Sequence, residues 1–323
     1  MSLGEFQLID RFFSALGRSR SDVVLGVGDD GAILRAPAGT ELVMVTDTLV
    51  EGVHFPRGSS ARSIGHRALA VNLSDLAAMG AEPAWALLAL TLPSVEADWL
   101  EQFASGFATL ALEHDVALVG GDTTSGPLCI TVQLVGFVPQ GLGLRRSGAQ
   151  VGDDIYVSGT LGDAAAGLQG ASSVLRERFE FPHPRVALGQ KLRTRASAAM
   201  DVSDGLLADL SKLAAASGVV AEIEITDLPL SPELTRVCDP ASAIAYALTG
   251  GDDYELLFTL SPAQRDDLTG LAGDTPVQRI GRVVAADRSE SAAGARVRLL
   301  RNSLPVTPAE LGLHRSGWDH FGS

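Results

Sequence analysis

What most constrains this chain is one pattern repeated in six places: one or two Asp beside Gly, Ser or Thr, set after an apolar run. In the stretch from Val43 to Phe55, apolar Leu42 to Val45 reads as a buried strand, and Thr46, Asp47 and Thr48 stand at its carboxyl end. Open α/β sheets tend to hold ligands at that end of their strands. The other segments are Gly28-Asp29-Asp30-Gly31, Asn72-Leu73-Ser74-Asp75, Gly120-Gly121-Asp122-Thr123-Thr124, Asp201-Val202-Ser203-Asp204-Gly205 and Gly250-Gly251-Asp252-Asp253-Tyr254-Glu255. A single Asp-Gly pair is an ordinary turn. Carboxylates gathered from several segments repel one another and need cations, and hard oxygen donors without His/Cys pairs suit Mg²⁺ or Mn²⁺ rather than zinc.

The charge balance bounds the partners. With 25 Lys and Arg against 39 Asp and Glu, the net charge is -14, which argues against nucleic acid or an anionic membrane and leaves a small anionic substrate open. Only Lys191 and Lys212 are lysines, so phosphate bound by the first half of the chain must be neutralised by arginine, backbone N–H groups or metal. The lysine-dependent phosphate loop is excluded. Cys129 and Cys238 have no CxxC or Cys/His surroundings and read as reduced thiols. Gly4 to Leu16 has amphipathic helical spacing without a basic start, and the apolar run Ala84 to Leu92 is too short to span a bilayer, so a soluble cytoplasmic protein is expected.

The 323 residues suffice for two domains. In the first half, helices over Glu5 to Leu16, Ser60 to Met79 and Ala97 to His114 alternate with strands over Val23 to Val27, Leu42 to Val45, Ala84 to Leu92 and Ile130 to Val138. Ala117 to Val119 leads into a Gly-rich loop carrying Asp122. In the second half, strands are expected over Ile155 to Val157, Val219 to Ile225, Tyr254 to Leu260, Val277 to Val284 and Arg296 to Leu300. Helices are expected over Val186 to Ala196 and Leu206 to Ala216, the latter N-capped by Ser203 or Asp204, while Gly170 to Pro184 is a variable-looking segment. The fold class is α+β (mixed α/β), with a domain boundary between Pro139 and Gly152, placed at 147/148. Gly26-Val27-Gly28-Asp29-Asp30-Gly31 fits GxGxxG formally, but two carboxylates would repel a pyrophosphate unless a metal lay between.

Taken together, the segments around Asp29-Asp30, Thr46 to Phe55, Asn72 to Gly80 and Gly120 to Thr124 occur in an order and spacing that resembles the thiamine-monophosphate kinases. These belong to the aminoimidazole ribonucleotide synthetase and selenophosphate synthetase superfamily, and the likeness runs from Gly4-Glu5-Phe6 to Gly317-Trp318-Asp319-His320-Phe321. The resemblance implies two domains, each a mixed sheet flanked by helices, with N-terminal strands of two subunits forming a barrel in a homodimer. It implies that residues 1–147 bind ATP and Mg²⁺ and dimerise, and that 148–323 complete the active site. It also implies direct in-line transfer of phosphate from ATP to thiamine monophosphate. The acceptor oxygen is already anionic, so positioning and charge neutralisation suffice without a general base.

By the same resemblance Asp29, Asp30, Thr46, Asp47, Asp75, Asp122, Asp201 and Asp204 surround several Mg²⁺ ions. Gly121, Asp122, Ser203 and Phe107 contact the nucleotide, Phe107 taking the place of the family's adenine-side aromatic. Arg146 neutralises phosphate oxygens, so that Asp47, Asp75, Asp122 and Arg146 carry the catalysis. His54, Asp252 and Trp318 face the thiamine substrate, Asp252 standing where the family usually has Glu. Two alternatives remain at this point. One is another ATP-dependent synthetase of the superfamily; the selenophosphate branch is disfavoured because no Cys or Lys precedes Cys129. The other is a non-catalytic module that binds a divalent cation or a nucleotide.

Overall fold

A computed structural model describes residues 4–268, 273, 275–286 and 296–319. The chain divides into two compact units, residues 1–76 with 81–141, and residues 77–80 with 142–323.

In the first unit, α1 (Glu5–Phe12) and a short antiparallel hairpin of β1 (Val23–Leu25) and β2 (Ile33–Leu34) precede the main elements. These are β3 (Thr40–Val50), α2 (Ala61–Ala78), β4 (Glu82–Leu92), α3 (Ala97–Glu113), β5 (Ala117–Ser125) and β6 (Cys129–Pro139). The strands form one sheet in the order β3-β6-β4-β5. Only β4 and β5 run parallel, as the intervening α3 requires, since a parallel pair needs a crossover connection.

Side chains alternate across this sheet. Val43, Leu49, Ile130, Val132, Leu134, Leu88 and Leu90 are buried on one face, while Leu42, Met44 and Leu87 on the other are 51, 59 and 37% exposed. Helix α2 is buried on nearly every side, with Leu69, Ala70, Leu73, Leu76 and Ala77 fully covered. It meets α3 backbone to backbone. A Cβ on Gly65 would strike the Phe103 carbonyl, and one on Gly106 would strike the Arg62 carbonyl, so both crossing points need glycine.

The second unit holds β7 (Asp154–Ser158), α4 (Asp163–Leu168), α5 (Ser173–Glu180), α6 (Val186–Leu192), β8 (Ala198–Val202), α7 (Leu206–Ser217) and β9 (Val220–Glu224). It continues through α8 (Pro232–Val237), α9 (Pro240–Thr249), β10 (Glu255–Leu260), β11 (Val277–Val284), β12 (Val297–Arg301) and β13 (Leu304–Val306). The sheet order is β13-β12-β9-β11-β7-β10-β8, mixed because β12 and β9 alone pair in parallel. Every residue of β7, β8 and β10 is buried, and these strands pack with α7 and α9 into the main apolar core. The chain is thus the expected mixed α/β fold.

Several local expectations are corrected. Strand β3 extends from Thr40 to Val50, so Thr46, Asp47 and Thr48 lie inside a strand rather than at its end. Pairing with β6 along its whole length carries the backbone through the polar residues. In the same way the Gly-rich run at Asp122 is part of β5, because its parallel register with β4 continues to Ser125. The 170–184 segment contains α5, N-capped by the Ser172 side chain. Helices α8 and α9, begun by Ser231-Pro232 and Asp239-Pro240, are additions to the expected elements, although each has a cap residue followed by Pro. No helix among the described residues is long and apolar enough to cross a membrane.

Candidate functional site

The first unit contains a cavity of about 740 Å³ whose lining includes Gly28, Asp29, Asp30, Gly31, Gly121, Asp122, Thr123 and Gln133, with apolar walls from Ile9, Phe13, Met44, Trp85 and Val135. Two acidic segments far apart in sequence are therefore brought to one place. The Asp29-Asp30 loop is carried by the β1–β2 hairpin, whose Val23, Ala32 and Leu34 pack on a cluster of Trp85, Phe137 and Val119. Trp85 ties this hairpin to the sheet. Its ring meets Phe137 edge-on at 5.0 Å, and its indole N–H donates to Asp22 Oδ1 at 3.1 Å. Hydrogen bonds from Arg20 hold the Asp22 carboxyl below the usual carboxylate range, so that anchor stays charged.

Within the loop, Asp29 Oδ1 accepts the Asp30 N–H at 2.8 Å, and Asp30 itself is exposed. Across the cavity, Asp122 comes from β5. No side chain among the described residues hydrogen-bonds to or ion-pairs with the carboxylate of Asp30 or Asp122, and no Lys, Arg or His among them lines the cavity. Gly121 is needed for packing as well as for any nucleotide contact, because its φ is +151° and a Cβ there would strike the Leu88 carbonyl on β4. An all-oxygen donor set of exposed carboxylates without a protein cation fits a hard divalent ion such as Mg²⁺.

Thr46, Asp47, Asp75 and His54 belong to the same unit but do not line this cavity. Thr46 is exposed and shares a sheet face with Met44 and, across the ladder, Gln133. Asp47, half-buried, is directed to the opposite face with Val45 and Leu49. Asp75 sits half-buried in α2. His54 accepts the Val50 N–H on Nδ1 at 3.0 Å, a bond that closes the turn after β3 and fixes the imidazole. Phe107 is a correction: it is fully buried in the α3 core, and helical spacing with Phe103 and Leu110 makes it packing rather than a ligand surface. Arg146 lies in the second unit and is exposed.

The second unit assembles its own polar loops. Asp252 N–H donates to the Ser203 carbonyl and Tyr254 N–H to the Val202 carbonyl, both at 2.9 Å, which zips the 250–254 segment onto the 201–205 segment. Trp318 N–H donates to the Asp204 carbonyl at 2.9 Å, adding a half-exposed indole to the group. Ser203, Asp204, Asp252 and Trp318, all candidates by sequence, thus meet in space. Asp252 and Tyr254 have φ of +70° and +51°, a strained pair of the kind that gathers at functional segments. Between them Asp253 is wholly enclosed. Burial pushes its carboxyl well up, although it accepts N–H groups from Gly162 and Ala164.

The expected N-cap of α7 is corrected too. The cap position is Gly205, without a side-chain bond, and the orphan N–H groups of Ser203, Asp204 and Gly205 all point to one buried carboxylate oxygen of Asp209. Burial raises the Asp209 carboxyl while Lys212 pulls it down. Neither residue is a candidate by sequence pattern, although Asp209 lies one turn past the acidic motif. Asp201 is buried in β8. Among the described residues, no group of three or more His, Cys, Asp or Glu side chains is placed to hold a metal ion; of the eight expected ligands, Asp201 and Asp204 belong to the second unit and the others to the first.

The family described as AIR synthase related protein, N-terminal domain, matches residues 28–138, and its C-terminal domain matches residues 150–293. The thiamine-monophosphate kinase of Salmonella typhimurium is 43% identical, with all of both chains covered. A crystal structure of thiamine-monophosphate kinase from Stenotrophomonas maltophilia is 49% identical with a TM-score of 0.84, covering 93% of this chain and 97% of that one. A structure described as AaThiL complexed with AMPPCP and TMP is 32% identical with a TM-score of 0.76, covering 99% of each chain. With both domain matches and full-length identity to the kinases, the chain belongs to the thiamine-monophosphate kinase family of AIR synthase related proteins.

Proposed function

We propose that this chain phosphorylates thiamine monophosphate at its existing phosphate, using ATP and giving thiamine diphosphate and ADP. The observation that carries the reading is the 740 Å³ cavity, where Asp29, Asp30 and Asp122 stand without any basic lining residue among the described residues. Alone, such a cavity repels a nucleotide, so the carboxylates make chemical sense only if cations accompany it. Mg²⁺ held by Asp29, Asp30 and Asp122, with Thr46, Asp47, Asp75, Asp201 and Asp204 as further donors, would neutralise the phosphates and let donor and acceptor approach in line. The chain's own part is to fix those carboxylates through the Trp85-anchored hairpin and β5, and to exclude water with the apolar wall of Phe13, Met44 and Trp85. Gly121 and Ser203 would contact the nucleotide and Arg146 the phosphates. His54, Asp252 and Trp318 would serve the thiamine end.

In this reading, residues 1–147 bind ATP and Mg²⁺ and dimerise, and residues 148–323 complete the active site of a cytoplasmic enzyme. The exposed sheet face of Leu42, Met44 and Leu87, the last two also on the wall of the cavity, supports dimerisation, because an apolar face of this kind is otherwise an aggregation hazard. Light scattering that gave one chain per particle at micromolar concentration would remove that part. The reaction is tested by incubating the protein with ATP and Mg²⁺ plus either thiamine monophosphate or free thiamine, and separating the products. Thiamine diphosphate from the monophosphate alone is expected. Absence of product from both, with ATP binding retained, would overturn the kinase reading.

A further inference from the structure

Lys212 stands in an arrangement that the kinase reading does not use. Its ammonium lies 2.8 Å from Asp209 Oδ1 and 2.5 Å from Asp204 Oδ2. The two carboxylates differ sharply in setting. Asp209 is fully buried and already bound to three backbone N–H groups of the 203–205 segment, whereas the Asp204 side chain is 34% exposed. The buried Asp209 is thus a fixed anchor for the lysine, spaced three residues along α7 so that the ammonium reaches back over the start of the helix. What it covers there is an accessible carboxylate whose own backbone is pinned by Asp209 and Trp318.

We infer that Lys212 is a tethered counter-ion that competes with a divalent cation for the Asp204 carboxylate, and that Asp209 is the positioning residue that holds it there. The inference rests on the reading of Asp204 as a metal ligand. A cation that takes Asp204 Oδ2 must displace the ammonium or accept its repulsion at short range. The flexible four-carbon stem lets Lys212 withdraw while keeping Asp209 as its partner, so the exchange needs no backbone movement. The empty protein therefore avoids an unpaired acidic tip, at the cost of weaker metal binding.

The test is titration of the full chain with Mn²⁺ alone, reading free Mn²⁺ by its paramagnetic resonance. An exposed ion pair is worth little, so Lys212→Met should tighten Mn²⁺ binding by about threefold. Lys212→Gln, which keeps a hydrogen bond to Asp209 without the charge, should do the same and guards against misfolding of the first variant. Lys191→Met, an equal change in net charge, should leave the affinity unchanged. Asp204→Asn should weaken binding, and Lys212→Met added to it should have no further effect. Unchanged or weaker binding in both Lys212 variants, with Asp204→Asn still harmful, would overturn the counter-ion while sparing the ligand. Normal binding by Asp204→Asn would remove the metal-ligand reading itself and the inference with it, and so would an absence of Mn²⁺ binding in every chain.

Discussion

The acids of the two units have opposite fates. In the first unit Asp29, Asp30 and Asp122 border a cavity with no basic lining residue among the described residues, whereas in the second the deeply buried acids are matched by donors built into the fold. Glu255, fully buried, accepts from Arg185, Arg178 and Ser158, which ties β10 to α5, the loop before α6, and β7. Asp163 accepts from Thr160 and Ser231, and Asp153 from Ser197. A carboxylate paired inside the protein has its charge committed to structure, and one left open at a cavity has it available to a ligand. Acidity alone therefore does not mark a site.

The strongest test of that contrast is Glu255→Gln. It leaves two arginines facing a neutral group in a buried setting, and the expected loss is about 3 kcal/mol in denaturant unfolding. Burial opposes the charge of Glu255, but its bonds and attraction to Arg185 and Arg178 hold the carboxyl below its ordinary value of 4.5. Stability from the ionised form is thus present above that value and lost as pH falls through the lower folded-state value. The gap between wild type and variant should close in acid, and a gap that stayed constant from neutral pH to about pH 3 would contradict the pairing.

Asp122→Asn should behave in the opposite way. Turnover of thiamine monophosphate is expected to fall by about a hundredfold, as for loss of a metal or transition-state charge partner, with little change in thermal unfolding. Equal damage to stability and activity would return Asp122 to the structural class. Between these extremes, Gly106→Ala should destabilise by about 1–3 kcal/mol through the clash with the Arg62 carbonyl. It should leave the KM values of the surviving folded enzyme nearly unchanged, since the crossing of α2 and α3 involves no cavity-lining residue. The smallest effect is expected for Trp318→Ala, a rise of about threefold in KM for thiamine monophosphate with KM for ATP unaltered, from loss of an exposed aromatic face. A matching rise for ATP would move Trp318 away from the thiamine end.

Much of the candidate site is legible in the residues alone, because an Asp beside Gly, Ser or Thr after an apolar run is a local pattern. Asp29, Asp30, Gly121 and Asp122 share a cavity, and Ser203, Asp204, Asp252 and Trp318 meet in the second unit. Sequence and structure part where local pattern and tertiary pairing conflict. Polar Thr46-Asp47-Thr48 and Gly120-Gly121 look like loop, yet the β6 and β4 ladders carry both as strand. Phe107 has the chemistry to stack on a base, but a helical period with Phe103 and Leu110 turns it inward.

By itself, then, the sequence determined the alternation of elements, the scarcity of lysine and the set of acids from which a cation site could be drawn, since these depend only on residue type and spacing. The tertiary structure decided which acids remain available. It buried Glu255 and Asp209 against partners and left Asp122 open, and it set Lys212 over Asp204. Charge pairing is a matter of distances, and for partners remote in sequence such as Glu255 and Arg178 those distances exist only once the chain has packed.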